Sequence, residues 1–192
     1  IRSCLVGSEM CIRDRNVGTN KSVTLGTLAL ADNTASASNY SLSSATLDIT
    51  QRPLNLTATK AYDGNTTFTS GTVTLSNLSG GQTIYTSGSI STNSANVASY
   101  GTSDITVSSL SLTDGTGAAS NYTLVGGTYS ATVTQKVLGL SGSRVYDATT
   151  TASPSDLTLT GLVGSETLTL SGSGTLTSSA AGTGKTITLN TL

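Results

Sequence analysis

Short runs in which apolar and polar residues alternate dominate the chain, and turn-forming residues separate them. Alternation with a period of two is typical of a strand with one buried face, and no stretch of apolar residues at helical spacing is long enough to predict a helix. The runs that predict strands between residues 52 and 135 are LNLTATK, TVTLSNL, TIYTSGSI, ITVSSLSL, NYTLV and TYSATVT. Gly-, Asn-, Asp- and Ser-rich turns between them indicate an all-β fold.

Two of these runs predict which side chains face the core. Successive side chains of a strand point to opposite faces of a sheet. Leu54 and Leu56 therefore share one face, as do Tyr129, Ala131 and Val133. We expect all of these side chains to point inward.

The chain contains an internal repeat of 82 to 84 residues. Residues 46–67 align without a gap with residues 130–151, and eight of 22 positions are identical. A second match joins residues 28–42 to residues 110–124 at an offset of 82. Self-similarity at a fixed period indicates an architecture of repeated structural units.

The offset predicts one complete repeat and two partial ones. Residues 16–51 are predicted to be the C-terminal part of a repeat, residues 52–135 a complete repeat, and residues 136–192 the N-terminal part of a further, truncated repeat. Short strands and turns at this spacing predict tandem Ig-like β-sandwiches of about 84 residues. A β-solenoid is the alternative, although no coil period of around 20 residues is visible within the repeat.

The first 15 residues differ in composition from the rest of the chain. They contain both cysteines, the only methionine and three of the nine basic residues. The segment SCLVGSEMCIRDR resembles a peptide that arises when sequencing-adaptor DNA is translated. We therefore expect residues 1–15 to be an artefact outside the fold. The spacing of Cys4 and Cys11 fits neither a CxxC redox motif nor a usual zinc site.

Composition argues against several classes of function. The chain has no His, 10% charged residues and a formal net charge of -1. Such a charge gives no electrostatic basis for binding nucleic acid, and no apolar run approaches the roughly 18 residues that a membrane helix needs. Without His a Ser-His-Asp triad is impossible, and Glu166 is the only Glu beyond residue 15. We expect no enzymatic activity, no cofactor and no metal site.

Two acidic loops are candidates for calcium sites. Asp114 begins the sequence Asp-Gly-Thr-Gly, and its counterpart Asp32 begins Asp-Asn-Thr-Ala. Calcium loops usually supply several carboxylates at alternating positions, and each of these loops has one. A structural turn is the favoured interpretation of both.

The most distinctive motif is a Tyr-Asp pair followed by two threonines, KAYDGNTT and its later copy RVYDATTT. As a ligand site, Tyr62 and Asp63 would bind once per repeat. As structure, the Asp carboxylate would cap backbone N–H groups, and the tyrosine would anchor the core with its hydroxyl on a nearby backbone group. Ala148 in place of Gly64 indicates that glycine is not obligatory in this turn. We favour the structural interpretation.

Several motifs follow one another in a fixed order, namely A-[TV]-V-T-Q-K, L-x-L, [KR]-x-Y-D-G-x-T, a Gly-rich section, N-V-G-T-x-K and A-S-N-Y-T-L. This series resembles the YDG-type repeats of large bacterial surface and secreted proteins related to filamentous haemagglutinins. Ala148, in the glycine position, departs from the pattern. The motif positions assigned to structural turns or core are Tyr62, Asp63, Gly64, Thr66, Tyr146, Asp147, Asn39, Tyr40, Asn121 and Tyr122.

The resemblance implies a stalk or passenger region in a large exported adhesin-like protein, secreted or held on the outer surface of a Gram-negative bacterium. Such proteins are often exported by two-partner secretion. The repeats would contact neighbouring repeats of the same chain and space a binding region from the cell surface. The alternative is that the repeats themselves bind a host glycan or matrix protein. Absence of cysteine beyond residue 15 suits a chain that crosses an outer-membrane pore unfolded.

Overall fold

A computed structural model describes residues 15–189 of the chain. The adaptor-like segment expected at residues 1–15 lies outside the described residues, apart from Arg15. The interpretation of this segment therefore stays a prediction.

Strands and the turns between them form the described chain, so the fold class is all-β, as the alternating pattern predicted. The strands are β1 Gly18–Val23, β2 Ala45–Ile49, β3 Arg52–Pro53, β4 Asn55–Ala61, β5 Thr67–Thr69, β6 Val73–Ser76, β7 Ile84–Thr92, β8 Ala98–Tyr100, β9 Ile105–Thr106, β10 Leu110–Asp114, β11 Tyr122–Thr123, β12 Tyr129–Thr134, β13 Gly139–Gly142, β14 Thr151–Ala152, β15 Leu157–Thr160, β16 Gly174–Leu176 and β17 Ile187–Leu189. Short 3-10 helices lie at Ala37–Asn39, Ser70–Thr72, Thr102–Asp104, Ala119–Asn121 and Pro154–Asp156.

The chain divides into two units whose sequences interleave. Unit 1 contains the described residues up to Lys60 together with Thr66–Asn93 and Ser99–Thr132. Unit 2 contains Ala61–Asn65, Ser94–Ala98 and the described residues from Val133 onward. The turn that carries Tyr62 therefore belongs to a unit formed mainly by the following repeat. The predicted repeat boundaries at residues 52 and 135 stay a prediction.

Two four-stranded sheets lie mostly in unit 1. One has the strand order β6-β4-β12-β8, and the other has the order β10-β7-β5 with β9 also paired to β7. Each of the runs expected to be a strand contains one, except that ITVSSLSL is divided into β9 and β10. The division falls at a turn in which the Leu110 amide donates to the Val107 carbonyl at 2.9 Å.

The core of unit 1 is made from the inward faces of these strands. Four residues expected to face inward, Leu54, Leu56, Tyr129 and Ala131, are buried there, and Val133 is buried in unit 2, which confirms the period-two interpretation. Full burial of a side chain such as Leu contributes about 1.5–3 kcal/mol. One buried cluster contains Leu54, Ile84 and Tyr122, with Leu75, Leu78, Leu112, Ala119 and Leu124 packed against it.

Unit 2 repeats strand pairings of unit 1 in the same register. Strand β13 pairs with β15 as β4 pairs with β6, so Leu140 stands opposite Leu159 where Leu56 stands opposite Leu75. Leu140 and Leu159 follow Leu56 and Leu75 by the offset of 84 that the sequence alignment showed. The repeat found in the sequence is therefore also present in the hydrogen-bonded strand pairs.

A second ladder is repeated with different side chains. Strand β14 pairs with β16, and Ala152 stands opposite Gly174 where Phe68 stands opposite Ile90. A Cβ added at Gly174 would lie 2.5 Å from Cγ2 of Ile187. The branched side chain of Ile187 thus occupies space beside the smaller pair, so the ladder is kept although its residues differ.

The strand pairing contradicts the β-solenoid alternative. The ladders β4-β6, β5-β7, β10-β7 and β13-β15 are antiparallel, and the two-residue pair β11-β3 is parallel. A β-solenoid instead stacks parallel strands from successive coils of a short repeat. Several separate sheets replace that regular stack.

Candidate functional site

The Tyr-Asp motif forms the same turn in both copies. In the first copy the Asn65 amide donates to Oδ1 of Asp63 at 2.9 Å. In the second copy the Thr149 amide donates to Oδ1 of Asp147, also at 2.9 Å. This is the local side-chain-to-backbone bond of an Asx-turn. The two Asp carboxylates thus accept a backbone amide of their own turns.

The turn places its third motif residue in the left-handed backbone region. Gly64 has a φ of 76°, and Ala148 has a φ of 61° at the same position of the other copy. An alanine thus occupies the position, so glycine is not obligatory there, as the sequence indicated. The left-handed conformation is kept, and an L-residue adopts it at a cost of about 1–2 kcal/mol.

A basic side chain donates a hydrogen bond across each Tyr-Asp turn. Nζ of Lys60 donates to the Thr67 carbonyl at 2.9 Å and lies 4.8 Å from the ring centroid of Phe68. Arg144 in the second copy donates to the corresponding Thr151 carbonyl. Both cations therefore connect the segment before the turn to the first residue of the strand after it.

Arg144 also binds inside its own turn. Its Nη2 atom donates to the Thr149 carbonyl at 2.6 Å and lies 3.3 Å from Oδ1 of Asp147. The Thr149 amide and hydroxyl both donate to this carboxylate, at 2.9 Å each. These hydrogen bonds, helped by the charge of Arg144, hold the pKa of Asp147 below its ordinary value.

The tyrosine of the first turn contacts a residue far along the sequence. The Tyr62 hydroxyl donates a hydrogen bond to Oε1 of Glu166. That hydrogen bond, partial burial and the charge of the carboxylate raise the pKa of Tyr62 above its ordinary value. Tyr62 is half-buried, and its partner is a carboxylate instead of the backbone group that the sequence suggested. The turn is therefore attached to the loop that carries Glu166.

The same loop also contacts the glycine of the turn. A Cβ added at Gly64 would lie 3.0 Å from Cγ1 of Val163. The Glu166 amide donates to the Val163 carbonyl at 3.1 Å, which closes the loop. Tyr62 and Gly64 thus share one partner loop within unit 2.

Tyr146, the counterpart of Tyr62, is in a different environment. Its side chain is 63% exposed, and its neighbour Val145 is 88% exposed. Among the described residues no hydrogen-bond partner of the Tyr146 hydroxyl is found. The two copies of the motif therefore share the backbone turn and differ in what their tyrosines contact.

Thr66 contributes hydrogen bonds through its backbone carbonyl. Its carbonyl accepts hydrogen bonds from the amide of Thr92 at 3.1 Å and from the hydroxyl of Thr92 at 3.2 Å. Thr92 is a buried polar residue at the end of β7. The motif threonine thus joins the turn to the neighbouring sheet.

The Ala-Ser-Asn-Tyr motif forms a second repeated turn. Oδ1 of Asp114 accepts the Ala119 amide at 2.7 Å, and Oδ1 of Asp32 accepts the Ala37 amide at 2.5 Å. Each carboxylate thereby holds the first residue of a 3-10 helix. In both acidic loops considered as calcium sites, the carboxylate thus bonds the backbone of its own turn.

Asn121 and Tyr122 occupy the inside of the complete repeat. The Tyr122 hydroxyl donates to Oε1 of Gln82 at 2.5 Å and accepts the Ser79 amide at 3.2 Å. Oδ1 of Asn121 accepts the Val17 amide at 2.9 Å. These bonds satisfy the polar tips of side chains that the motif directs inward.

Their counterparts Asn39 and Tyr40 lie at the surface. The Tyr40 side chain is 65% exposed, and Asn39 is exposed at the end of its 3-10 helix. The tyrosine of this motif is thus buried in one copy and open to solvent in the other.

Sequence reasoning missed the acceptors of the tyrosine hydroxyls. Gln82 and Glu166 differ by 84 positions, so they occupy the same place in successive repeats. Gln82 accepts Tyr122, and Glu166 accepts Tyr62. The alignment at the 84-residue offset could have identified these two acceptors, because it places Gln82 and Glu166 at the same position of a Gly-containing loop.

Among residues 15–189 no group of three or more His, Cys, Asp or Glu side chains is placed to hold a metal ion. In the same part of the chain, no helix is both long and apolar enough to cross a membrane. The carboxylates of both motifs accept backbone amides of their own turns, at Asp63, Asp147, Asp32 and Asp114.

Repeated turns and repeated ladders define the chain as an all-β repeat protein. The YDG domain family matches residues 50–133 and again residues 129–192. The chain belongs to the YDG domain family. Each matched range contains one Tyr-Asp pair, at Tyr62 and at Tyr146. No curated protein and no solved structure matches the chain.

Proposed function

We propose that the chain is a structural stalk region of a large exported bacterial adhesin-like protein, in which tandem repeats space a binding region from the cell surface. One observation carries the proposal, the hydrogen bond from Tyr62 to Glu166. Tyr62 belongs to the Tyr-Asp turn of one repeat, and Glu166 stands in the next repeat by the 84-residue offset. A motif that attaches one repeat to the next is suited to building a continuous array.

Each repeat in this proposal is an Ig-like sandwich of its two sheets. The strand orders β6-β4-β12-β8 and β10-β7-β5 supply two sheets of the size that such a sandwich uses. Residues with a period of two line the buried faces, which is the pattern of a sandwich core. The proposal treats residues 16–51 and 136–192 as parts of the same kind of repeat.

The surface chemistry supports a spacer on the outside of a Gram-negative cell. Charged residues make up 10% of the chain, and the formal net charge is -1. Both cysteines lie in residues 1–15, a segment that we hold to be translated adaptor sequence. A cysteine-free chain forms no disulfide that would obstruct export through a pore. The proposal assigns the repeats no enzymatic activity, cofactor or nucleic acid partner.

A second candidate function is binding of a host glycan or matrix protein by the Tyr-Asp turns. Tyr146 favours it, because an aromatic ring that is 63% exposed beside Asp147 offers both stacking and hydrogen bonding. In this alternative each repeat would contribute one weak site, and an array would gain avidity.

Glycan and matrix-protein arrays probed with the full chain separate the two functions. The spacer function predicts no saturable binding by the wild-type chain, and no change in Tyr146→Ala. Saturable binding that Tyr146→Ala abolishes would contradict the spacer function and support the second candidate. Tyr85→Ala is the matched control, because Tyr85 is also 63% exposed and lies outside the motif.

A further inference from the structure

The segments that begin and end the complete repeat run parallel to one another in unit 1. Strand β3 pairs with β11 in parallel. Further along both segments, the Leu54 amide donates to the Thr123 carbonyl at 2.8 Å, and the Leu56 amide donates to the Thr128 carbonyl at 2.9 Å. The partners on the two sides advance in the same direction, which is the pattern of a parallel pair. We call these bonds, together with those between β3 and β11, the parallel ladder.

A side chain and a glycine hold the two segments of the parallel ladder close together. Oδ1 of Asn55 accepts the Thr128 amide at 3.0 Å, so the amide and the carbonyl of Thr128 are both bonded to the first segment. A Cβ added at Gly127 would overlap the carbonyl oxygen of Leu54. Glycine permits this close approach of two backbones because it has no side chain.

Apolar side chains shield the parallel ladder from water. Leu54 and Leu56 on one segment, and Tyr129 and Ala131 directly after the other, are buried. A hydrogen bond in such surroundings of low dielectric constant is electrostatically stronger than one in water. Because the packed side chains exclude solvent, water does not replace a partner in the ladder as the bond is stretched.

The direction of the two segments decides how tension acts on the parallel ladder. The chain enters the complete repeat at β3 and leaves it through β12, which lies next to β4 in its sheet. In a parallel pair both strands begin at the same end of the ladder. Tension between the chain before β3 and the chain after β12 therefore pulls the two segments in opposite directions along their common axis. The bonds of the ladder are then loaded together.

We propose that the parallel ladder is a mechanical clamp, which makes the complete repeat resist tension applied along the chain. The inference deepens the proposed stalk function and rests on it in one respect, because a stalk that spaces a binding region from the cell is loaded through its own chain. Resistance to forced unfolding is set by the rate of unfolding. A ladder whose bonds must rupture together lowers that rate under load.

Single-molecule force spectroscopy of the full chain in two loading directions tests the clamp. Handles are attached through introduced cysteines, after Cys4→Ser and Cys11→Ser remove the existing thiols. In the first protein, Thr50→Cys and Gln135→Cys load the two segments along their axis. In the second, Thr50→Cys and Val125→Cys place both handles near the end where the segments begin, so the load opens the ladder bond by bond. The three handle positions are exposed.

The clamp predicts a rupture force that depends on direction. At one loading rate the lengthwise force should be about three times the opening force, because the bonds made by Leu54, Leu56 and Asn55 are loaded together in the first case and one after another in the second. Circular dichroism of both proteins is expected to show the strand content of the wild-type chain.

Substitution of Asn55 tests the ladder itself. Asn55→Ala removes one of the three bonds and should lower the lengthwise force by about a third, with little change in the opening force. Asn55→Asp keeps an acceptor for the Thr128 amide and should restore most of the lengthwise force. Thr74→Ala is the matched control, since Thr74 is exposed on β6 outside the ladder, and it should change neither force.

Two results would overturn the clamp. The first is an equal rupture force in both directions, and this comparison decides even where Asn55→Ala fails to fold. The second is a lengthwise force that a folded Asn55→Ala leaves unchanged. Either result leaves the spacer function standing, because the glycan and matrix-protein arrays test that function separately. Saturable binding that Tyr146→Ala abolishes would instead contradict the spacer function and leave the rupture forces as they are.

Discussion

The Tyr62 hydroxyl donates a hydrogen bond to the Glu166 carboxylate, which stands 104 residues further along the chain. The two residues belong to successive repeats by the offset alignment and to the same unit of the fold. Gln82 occupies the position of Glu166 in the complete repeat and accepts the Tyr122 hydroxyl. One loop position thus serves as a tyrosine acceptor in both repeats.

The ionisation of Tyr62 should report this contact. Its pKa is raised, chiefly by the hydrogen bond to Glu166. Glu166→Ala should therefore lower the pKa of Tyr62 toward the ordinary value of about 10. The measurement is a tyrosinate absorbance titration, with Tyr62→Phe subtracted to isolate the one residue. Equal titration curves for Tyr62 in the wild-type chain and in Glu166→Ala would contradict the contact.

The same pKa shift predicts a loss of stability in alkali. A raised folded-state pKa stabilises the fold fully below the unfolded value of about 10, and this contribution disappears as the pH rises through the folded value. The urea midpoint of the wild-type chain should therefore fall more steeply in this window than that of Tyr62→Phe. Parallel curves for the two chains would show that Tyr62 is not linked to folding.

Asp147 predicts the opposite dependence on pH. Its pKa is lowered by hydrogen bonds from Thr149 and by Arg144. The contribution to stability is therefore present above the unfolded value of about 3.9 and is lost as the pH falls through the lower folded value. Asp147→Asn keeps an acceptor for the Thr149 amide and does not titrate, so its urea midpoint should fall less in acid than that of the wild type. An unchanged acid dependence would count against the role of this carboxylate.

The backbone at Ala148 predicts a stabilising substitution. Ala148→Gly should raise the free energy of unfolding by about 1 kcal/mol, because glycine adopts the left-handed region without the penalty of an L-residue. Gly64→Ala should lower it by about 1–2 kcal/mol, and the added Cβ would also crowd Cγ1 of Val163. Urea unfolding of both variants measures the pair. A destabilising Ala148→Gly would show that the turn is held differently.

The strands and their inward faces were predictable because they depend on neighbours in sequence. Leu54 and Leu56 are separated by one residue, and alternation alone placed both in the core. The short strands β5 and β8 were not predicted, because three residues carry too little alternation to be distinguished from a loop. Their pairing partners in the sheets give them their extended form.

At the site, only the contacts between residues close together in sequence could be predicted. The Asx-turns at Asp63 and Asp147 follow from residues two positions apart. The hydrogen-bond partner of Tyr62 could not be predicted in this way, because Glu166 is 104 residues away in sequence and only the tertiary fold brings it close. The left-handed backbone of Ala148 could not be predicted either, since the residue type at one position does not give the φ angle that its surroundings impose.

The carboxylates of the second turn give a further prediction. Asp114→Ala should lower the free energy of unfolding by about 0.5–1.5 kcal/mol, the net contribution of a typical hydrogen bond. Asp114→Asn should cost less, because its amide oxygen can still accept the Ala119 amide. Asp32→Ala is the matched control and should cost less than Asp114→Ala, since its turn precedes the exposed Tyr40. Thermal melting measures all three, and a larger effect at Asp32 would contradict the assignment.

The central claim is that the Tyr-Asp turn attaches one repeat to the next, and a double-mutant cycle between Tyr62→Phe and Glu166→Ala tests it most directly. The measurement is the free energy of unfolding of the full chain in urea. The claim predicts that the double variant loses less stability than the sum of the two single variants, because both remove the same hydrogen bond. The control cycle of Tyr146→Phe with Glu166→Ala should be additive. Additive losses in the Tyr62 cycle, or no loss in either single variant, would contradict the claim.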